Sequence, residues 1–284
     1  MDPVTEWLEA WKIPIGRWGR SVFDFLTTHF AWFFDTLASG LAATLDALVA
    51  LLLWLPPTLV VLALAALAYA LQRSWKLALA VAIGLFFIIN QGLWTETVET
   101  LVLVVAASAV SMAIGVPIGI WAAHSKRVYQ VLRPILDLMQ TLPTFVYLIP
   151  VLILFGLGAA PGLIVTVIFA APAPIRLTYL GITSVPKPIL EAGQAFGATK
   201  RQLLWKVELP AALPSIMVGL TQCIMLSLSM VVIAALIGAD GLGKPVVRAL
   251  NSVNIPLGVE AGLAIVVLAI ILDRMARLGR EHRR

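Results

Sequence analysis

Long apolar runs recur along this chain at nearly regular intervals, and no other feature limits its possible folds so strongly. The runs are Leu48 to Leu71, Leu77 to Leu93, Leu101 to Ala123, Ile135 to Leu157, Leu163 to Leu180, Ala211 to Ile237 and Leu257 to Leu272. Each is close to the ~20 residues a helix needs to cross about 30 Å of hydrocarbon. A water-soluble fold could not hide so much apolar surface, because 61% of the 284 residues are hydrophobic and only 12% are charged. Soluble domains carry roughly twice that charged fraction. The expectation is an all-α, polytopic membrane helical bundle of about seven transmembrane helices.

The polar residues sort by side. Lys and Arg favour loops that stay in the cytoplasm. Arg73 and Lys76 occupy the first connection, and Lys126, Arg127 and Arg133 the third. Lys187, Lys200, Arg201 and Lys206 occupy the fifth, and Arg274, Arg277, Arg280, Arg283 and Arg284 follow the last run. All fall on one side if the N-terminus is outside and the C-terminus in the cytoplasm. The other side then carries Asp2, Glu6, Glu9, Asp24, Asp35, Asp46, Glu96, Glu99 and Asp240 against fewer cations. This alternation requires the run through Pro56 and Pro57 to be one kinked span.

Four regions follow from these patterns. Residues 1–46 mix Trp7, Trp11, Trp18, Phe30, Trp32, Phe33 and Phe34 with acids, a pattern that suits an amphipathic helix lying in the membrane interface. This opening has acids and no basic n-region, so it does not read as a signal peptide. Residues 47–94 hold two accessory spans, 95–274 the main core, and 275–284 a basic tail. Pro117, Pro143, Pro150, Pro172 and Pro174 interrupt several spans, which a membrane tolerates only where packed neighbours or water satisfy the freed backbone groups.

Several function classes are excluded. Basic tracts interleaved with base-stacking aromatics are absent, so no nucleic-acid partner is expected. No Gly-x-x-x-x-Gly-Lys-Ser/Thr occurs, so the chain has no P-loop of its own. Gly238-Ala239-Asp240-Gly241-Leu242-Gly243 follows an apolar span rather than a strand and reads as a flexible outer connection. His29, His124 and His282 are scattered, and Cys223 is the single cysteine, so neither a metal centre nor a cysteine nucleophile is expected. An ion-coupled secondary transporter would carry acids near mid-membrane. Here Asp137 and Arg176 lie toward the cytoplasmic ends of adjacent spans and are expected to pair as structural charges.

The fifth connection is too long for a simple turn. It contains Glu191-Ala192-Gly193-Gln194-Ala195-Phe196-Gly197 and, nine residues later, Val207-Glu208-Leu209-Pro210. Pro186 and Pro188 suit the first turn of a short helix, with Glu191 near its positive end. Ala192, Gly193, Ala195, Gly197 and Ala198 keep that helix low, Phe196 forms one apolar knob, and Gly197 permits a bend before Lys200 and Arg201. Leu209 and Pro210 begin the next span.

This spacing resembles the cytoplasmic loop of the permease subunits of ABC importers, with Gly193 where that family usually has alanine. Gln140 to Pro150, Leu226 to Ala234 and Ile270 to Arg274 are similar to segments of the glycine betaine/proline/choline group, and the likeness covers about Glu96 to Arg274. An N-terminal extension with extra spans is also similar to that group. The resemblance implies a type I ABC importer permease-like core that forms a dimer, with residues 186–210 as a coupling loop. Glu191, Ala192, Gly193, Phe196, Gly197, Lys200, Arg201, Leu209 and Pro210 would seat it on a cytoplasmic ATP-binding subunit, present in two copies. The implied assembly holds ATP and Mg on that ATPase and no cofactor or catalytic residue in this chain. An extracytoplasmic substrate-binding protein would deliver glycine betaine, choline or a proline-type compatible solute to a bacterial cytoplasmic (inner) membrane. A permease for another small solute, such as an amino acid, is the alternative, with an ion-coupled secondary transporter behind it.

Overall fold

The computed structural model describes residues 13–277 together with Trp7 and Trp11. The remaining residues, which include most of the expected tail and its Arg280, His282, Arg283 and Arg284, lie outside the described residues. The described chain is helical throughout, in the order α1 (Ile15–Trp54), α2 (Pro57–Gln72), α3 (Trp75–Asn90), α4 (Trp94–His124), α5 (Lys126–Thr141), α6 (Thr144–Phe155), α7 (Ala159–Ala170) and α8 (Pro172–Thr183). After these come α9 (Lys187–Ala195), α10 (Lys200–Leu203), a π-helical turn (Leu204–Glu208), α11 (Leu209–Ala235), α12 (Gly243–Ser252) and α13 (Ile255–Ala276).

Five helical stretches are long and apolar enough to cross a membrane: α1, α4, α7–α8, the run Lys200–Ala235, and α13. The pair α5 and α6 makes a sixth, bent by 99°. Leu142 precedes Pro143 and takes an extended conformation (ψ 133°), as a residue before proline is driven to do. With α1 set aside, the four other long helices, the bent pair and the shorter apolar helices α2 and α3 stand one for one against the seven expected spans.

The first expected run is corrected. It is not one kinked span, because Leu55 (ψ 143°) and Pro56 (ψ 134°) are both extended. Each precedes a proline, so α1 ends before them and α2 starts at Pro57. The boundary drawn at residue 46 therefore falls inside α1, which continues to Trp54 over 40 residues. That is about 60 Å of helix, twice the hydrocarbon thickness. Its only buried residue is Leu45, which joins the main core.

The centre of the bundle is α4 packed on α7–α8 and α11. Small residues bring these helices together: a Cβ at Gly119 would stand 2.7 Å from the Ile175 carbonyl oxygen, and one at Gly219 would stand 3.3 Å from Pro174 Cα. Close backbone approach of this kind replaces the hydrophobic drive that lipid cannot supply. Proline does not break every helix it enters: Pro117 in α4, Pro150 in α6 and Pro214 in α11 all lie inside helices that continue through them.

Contacts sort the helix ends into two layers. In one, Gln72 donates to the Arg274 and Met275 carbonyls at 3.1 and 3.3 Å, and His124 meets Glu208 at 2.9 Å. In the other, the Gly158 N–H reaches the Ile237 carbonyl at 2.9 Å and the Leu242 N–H reaches Thr100 Oγ1 at 2.8 Å. The first layer collects Arg73, Lys76, Lys126, Arg127, Lys187, Lys200, Arg201, Lys206, Arg274 and Arg277, and the second collects Glu96, Glu99, Asp240 and Glu260 against two cations, Lys244 and Arg248. The charge asymmetry read along the chain is thus an asymmetry between two ends of the bundle.

Candidate functional site

At the basic layer the chain leaves α8, forms α9, and returns through α10 and the π turn into α11. Pro186 caps α9 with an extended backbone (ψ 130°), and Pro188 sits in the first turn, where its missing N–H costs no hydrogen bond. Glu191 begins the second turn rather than lying in the first, since the helix starts at Lys187.

Nothing in α9 is buried. Leu190, Gly193 and Ala198 are half-buried toward the body, while Glu191, Ala192, Gln194, Ala195, Phe196 and Gly197 face outward. Gly193 is the point of closest approach: a Cβ there would stand 2.8 Å from Leu203 Cδ1 and 3.8 Å from Val207 Cγ2. Alanine at this position would ask only a small shift of the flexible Leu203 side chain. Phe196 is 93% exposed, and exposing a whole phenylalanine ring forgoes about 2 kcal/mol of burial.

The exit from α9 is sharply defined. Gly197 takes φ +76°, the left-handed conformation in which a side chain is strained. Its N–H reaches the Gln194 carbonyl at 2.9 Å, and the Ala198 N–H reaches the Gly193 carbonyl at 3.1 Å. Thr199 then starts α10 with a capping box: its Oγ1 accepts from the Gln202 N–H at 3.3 Å, while Gln202 Oε1 accepts from the Thr199 N–H at 2.8 Å. Lys200 and Arg201 in that turn are exposed.

Leu209 and Pro210 open α11, but the chain ahead of them is already helical. The helical run is continuous from Lys200 to Ala235 over 36 residues. Pro210 has no N–H to give the Lys206 carbonyl, and its ring crowds that carbonyl in an α-helix. The turn Leu204–Glu208 widens instead, with the Leu209 N–H reaching back to the Leu204 carbonyl. Such π turns inside helices are concentrated at functional positions.

A link that the sequence reading missed holds this turn. Glu208 is buried, and its Oε2 lies 2.9 Å from Nε2 of the half-exposed His124 at the end of α4. The other ring nitrogen, Nδ1, lies 2.8 Å from the Ile120 carbonyl. The expected Asp137–Arg176 pair is present at 2.6 Å and joins α5 to α8. A stack of Tyr129 on Tyr179, with centroids 3.7 Å apart, reinforces that junction.

At the opposite layer, residues 237–243 are packed rather than a flexible connection. Gly241 takes φ +118°, and a Cβ there would also stand 2.5 Å from Thr100 Oγ1. Asp240 alone in the stretch is exposed, and it pairs with Lys244. Beside it an open cleft of about 400 Å³ is lined by Ala235, Lys244, Val247, Arg248, Asn251 and Ser252. Among the described residues no group of His, Cys, Asp or Glu could hold a metal ion. Cys223 is buried.

A bundle that passes repeatedly between a basic and an acidic layer, and presents an uncovered small-residue helix at the basic one, defines a multi-pass membrane transport component. The chain belongs to the family described as binding-protein-dependent transport system inner membrane component, which matches residues 115–279. It is 45% identical to the glycine betaine transport system permease protein OpuAB of Bacillus subtilis (strain 168), over 94% of each chain. It is 42% identical to the glycine betaine/proline betaine transport system permease protein ProW of Escherichia coli (strain K12), over 100% of this chain and 79% of that one. The fold is shared with a solved chain of the MetNI methionine ABC transporter in an inward-facing conformation. The TM-score is 0.58 at 22% identity, covering 67% of this chain and 95% of that one.

Proposed function

We propose that the chain is the solute-conducting subunit of an ATP-driven importer for glycine betaine, proline betaine or a related quaternary ammonium. The observation that carries the coupling role is the outward face of α9, where Phe196 stands 93% exposed between small residues. A ring left in water on a helix without buried residues is suited to a groove on a partner. In this reading Glu191, Ala192, Gly193, Phe196 and Gly197 seat on a separate ATP-binding subunit, and Lys200 and Arg201 flank the contact. Leu209 and Pro210 lie in the helical run that responds. ATP and Mg are held by that subunit.

The remaining organisation follows from the same reading. Two copies of the chain enclose a shared path, each offering one loop to one ATPase. The basic layer is cytoplasmic by the distribution of Lys and Arg, which puts the C-terminus inside; with α1 lying along the outer interface instead of crossing, the N-terminus is outside. A substrate-binding protein docks at the acidic layer near α12, and selectivity for the solute's cationic head lies largely in that protein's aromatic side chains. The identities of 45% and 42% to glycine betaine permeases support this choice of solute.

Reconstitution in liposomes with the candidate ATPase and binding protein tests the proposal. ATP-dependent uptake of labelled glycine betaine above that of proline and choline is expected. Glu191→Lys and Gly197→Asp should abolish coupled uptake while the permease still inserts. Uptake driven by an ion gradient without the ATPase would overturn the reading.

A further inference from the structure

His124 and Glu208 are joined by a hydrogen bond whose proton count can be read from its neighbours. Nδ1 of His124 lies 2.8 Å from the Ile120 carbonyl oxygen, which only accepts, so Nδ1 carries a proton and donates it. In a neutral ring Nε2 is then a lone-pair acceptor. It faces, at 2.9 Å, a carboxylate oxygen of Glu208 that is also an acceptor. The contact is attractive only if one further proton lies between them, as imidazolium with carboxylate or imidazole with carboxylic acid.

Among the described residues, no other ionic partner meets this pair. On α4, His124 is the only ionisable side chain after Glu99, and α11 offers only Cys223. On α8, Arg176 is paired with Asp137 and Tyr179 is stacked on Tyr129. Lys126, Arg127, Lys200, Arg201 and Lys206 are all exposed. Between α4, α8 and α11 the nearby hydrophobic cluster of Ile182, Ala212 and Ile216, with Ile120, Ala123 and Leu209 packed on it, adds no ionisable group.

Position makes the bond mechanically important. Glu208 closes the π turn, where the wider hydrogen bonding and Pro210 make the helix Lys200–Ala235 easiest to deform. A displacement of α9 and α10 would be absorbed there unless the turn were fastened to something rigid. It is fastened to the end of α4, a 31-residue helix running the depth of the bundle. We propose that His124 and Glu208 are positioning residues forming a protonated latch, which transmits movement of the coupling loop to α4. This rests on the reading of α9 as the ATPase-docking helix.

The test measures solute transported per ATP hydrolysed in proteoliposomes containing the ATPase and binding protein. His124→Ala and Glu208→Leu should each lower that ratio about tenfold, the scale of one lost charge-assisted hydrogen bond, with the ATPase still co-purifying. Glu208→Gln should retain the wild-type ratio, because its amide donates to the Nε2 lone pair of a neutral ring and removes the need for the shared proton. His124→Gln should likewise retain it by donating to the carboxylate. If Glu208→Leu does not insert, the contrast between His124→Ala and His124→Gln decides alone. A wild-type ratio in His124→Ala, or conservative variants as impaired as the disruptive ones, would overturn the latch. Phe196→Asp separates the two levels: retention of the ATPase there overturns docking and the latch together. Its loss there, with normal coupling in His124→Ala, overturns the latch alone.

Discussion

At the scale of single residues, two glycines with positive φ make a controlled comparison. Gly92 takes φ +72° with no atom within 4 Å of where a Cβ would stand, whereas Gly241 takes φ +118° against Thr100. Gly92→Ala should cost only the left-handed backbone penalty, about 1 kcal/mol. Gly241→Ala adds a clash and disturbs the Leu242–Thr100 hydrogen bond, so about 2–3 kcal/mol is expected. Thermal unfolding in detergent checks the order, and equal shifts would contradict the packing described for the outer loop. The loop residues themselves were legible in the sequence, since a small-residue helix, a bend at Gly197 and a knob at Phe196 depend on local chemistry. The His124–Glu208 link was not, because its partners are 84 residues apart and no local pattern pairs them.

At the scale of elements, α9 is held by little and offers much. Phe196→Ala should weaken binding of the ATPase by about 2 kcal/mol, roughly thirtyfold, without lowering the melting temperature, because the ring contacts no core. Titration of the purified ATPase against the permease measures the first effect and unfolding the second. The α5–α8 junction behaves differently: its ion pair has side chains 37% and 54% exposed. Neutralising either partner should change stability by less than about 1 kcal/mol, so a swap has little to restore. Proline was only partly readable at this scale. Pairs such as Leu55-Pro56-Pro57 and Leu142-Pro143 break helices because the preceding residue is forced extended. Pro210 is instead absorbed by a π turn, and Pro117 lies inside a helix that continues through it, neither of which a sequence announces.

At the scale of the whole molecule, the two layers give orientation a direct test. Cys223 is the single cysteine and is buried, so Cys223→Ser leaves a background free of thiols. In that background Ser252→Cys should react with a membrane-impermeant maleimide in intact cells, and Gln194→Cys only after permeabilisation. The opposite pattern would invert the proposed topology. That the chain spans a membrane, and that its cations gather on one side, was determined by the sequence alone, because hydrocarbon thickness and charge transfer act on each segment independently. How the segments meet was decided by tertiary structure. The division of the first apolar run between α1 and α2, the packed outer loop, and the fastening of the π turn to α4 all depend on contacts between distant segments. Such contacts are set by backbone approach and by which buried polar groups find partners, and these become defined only when the helices are assembled.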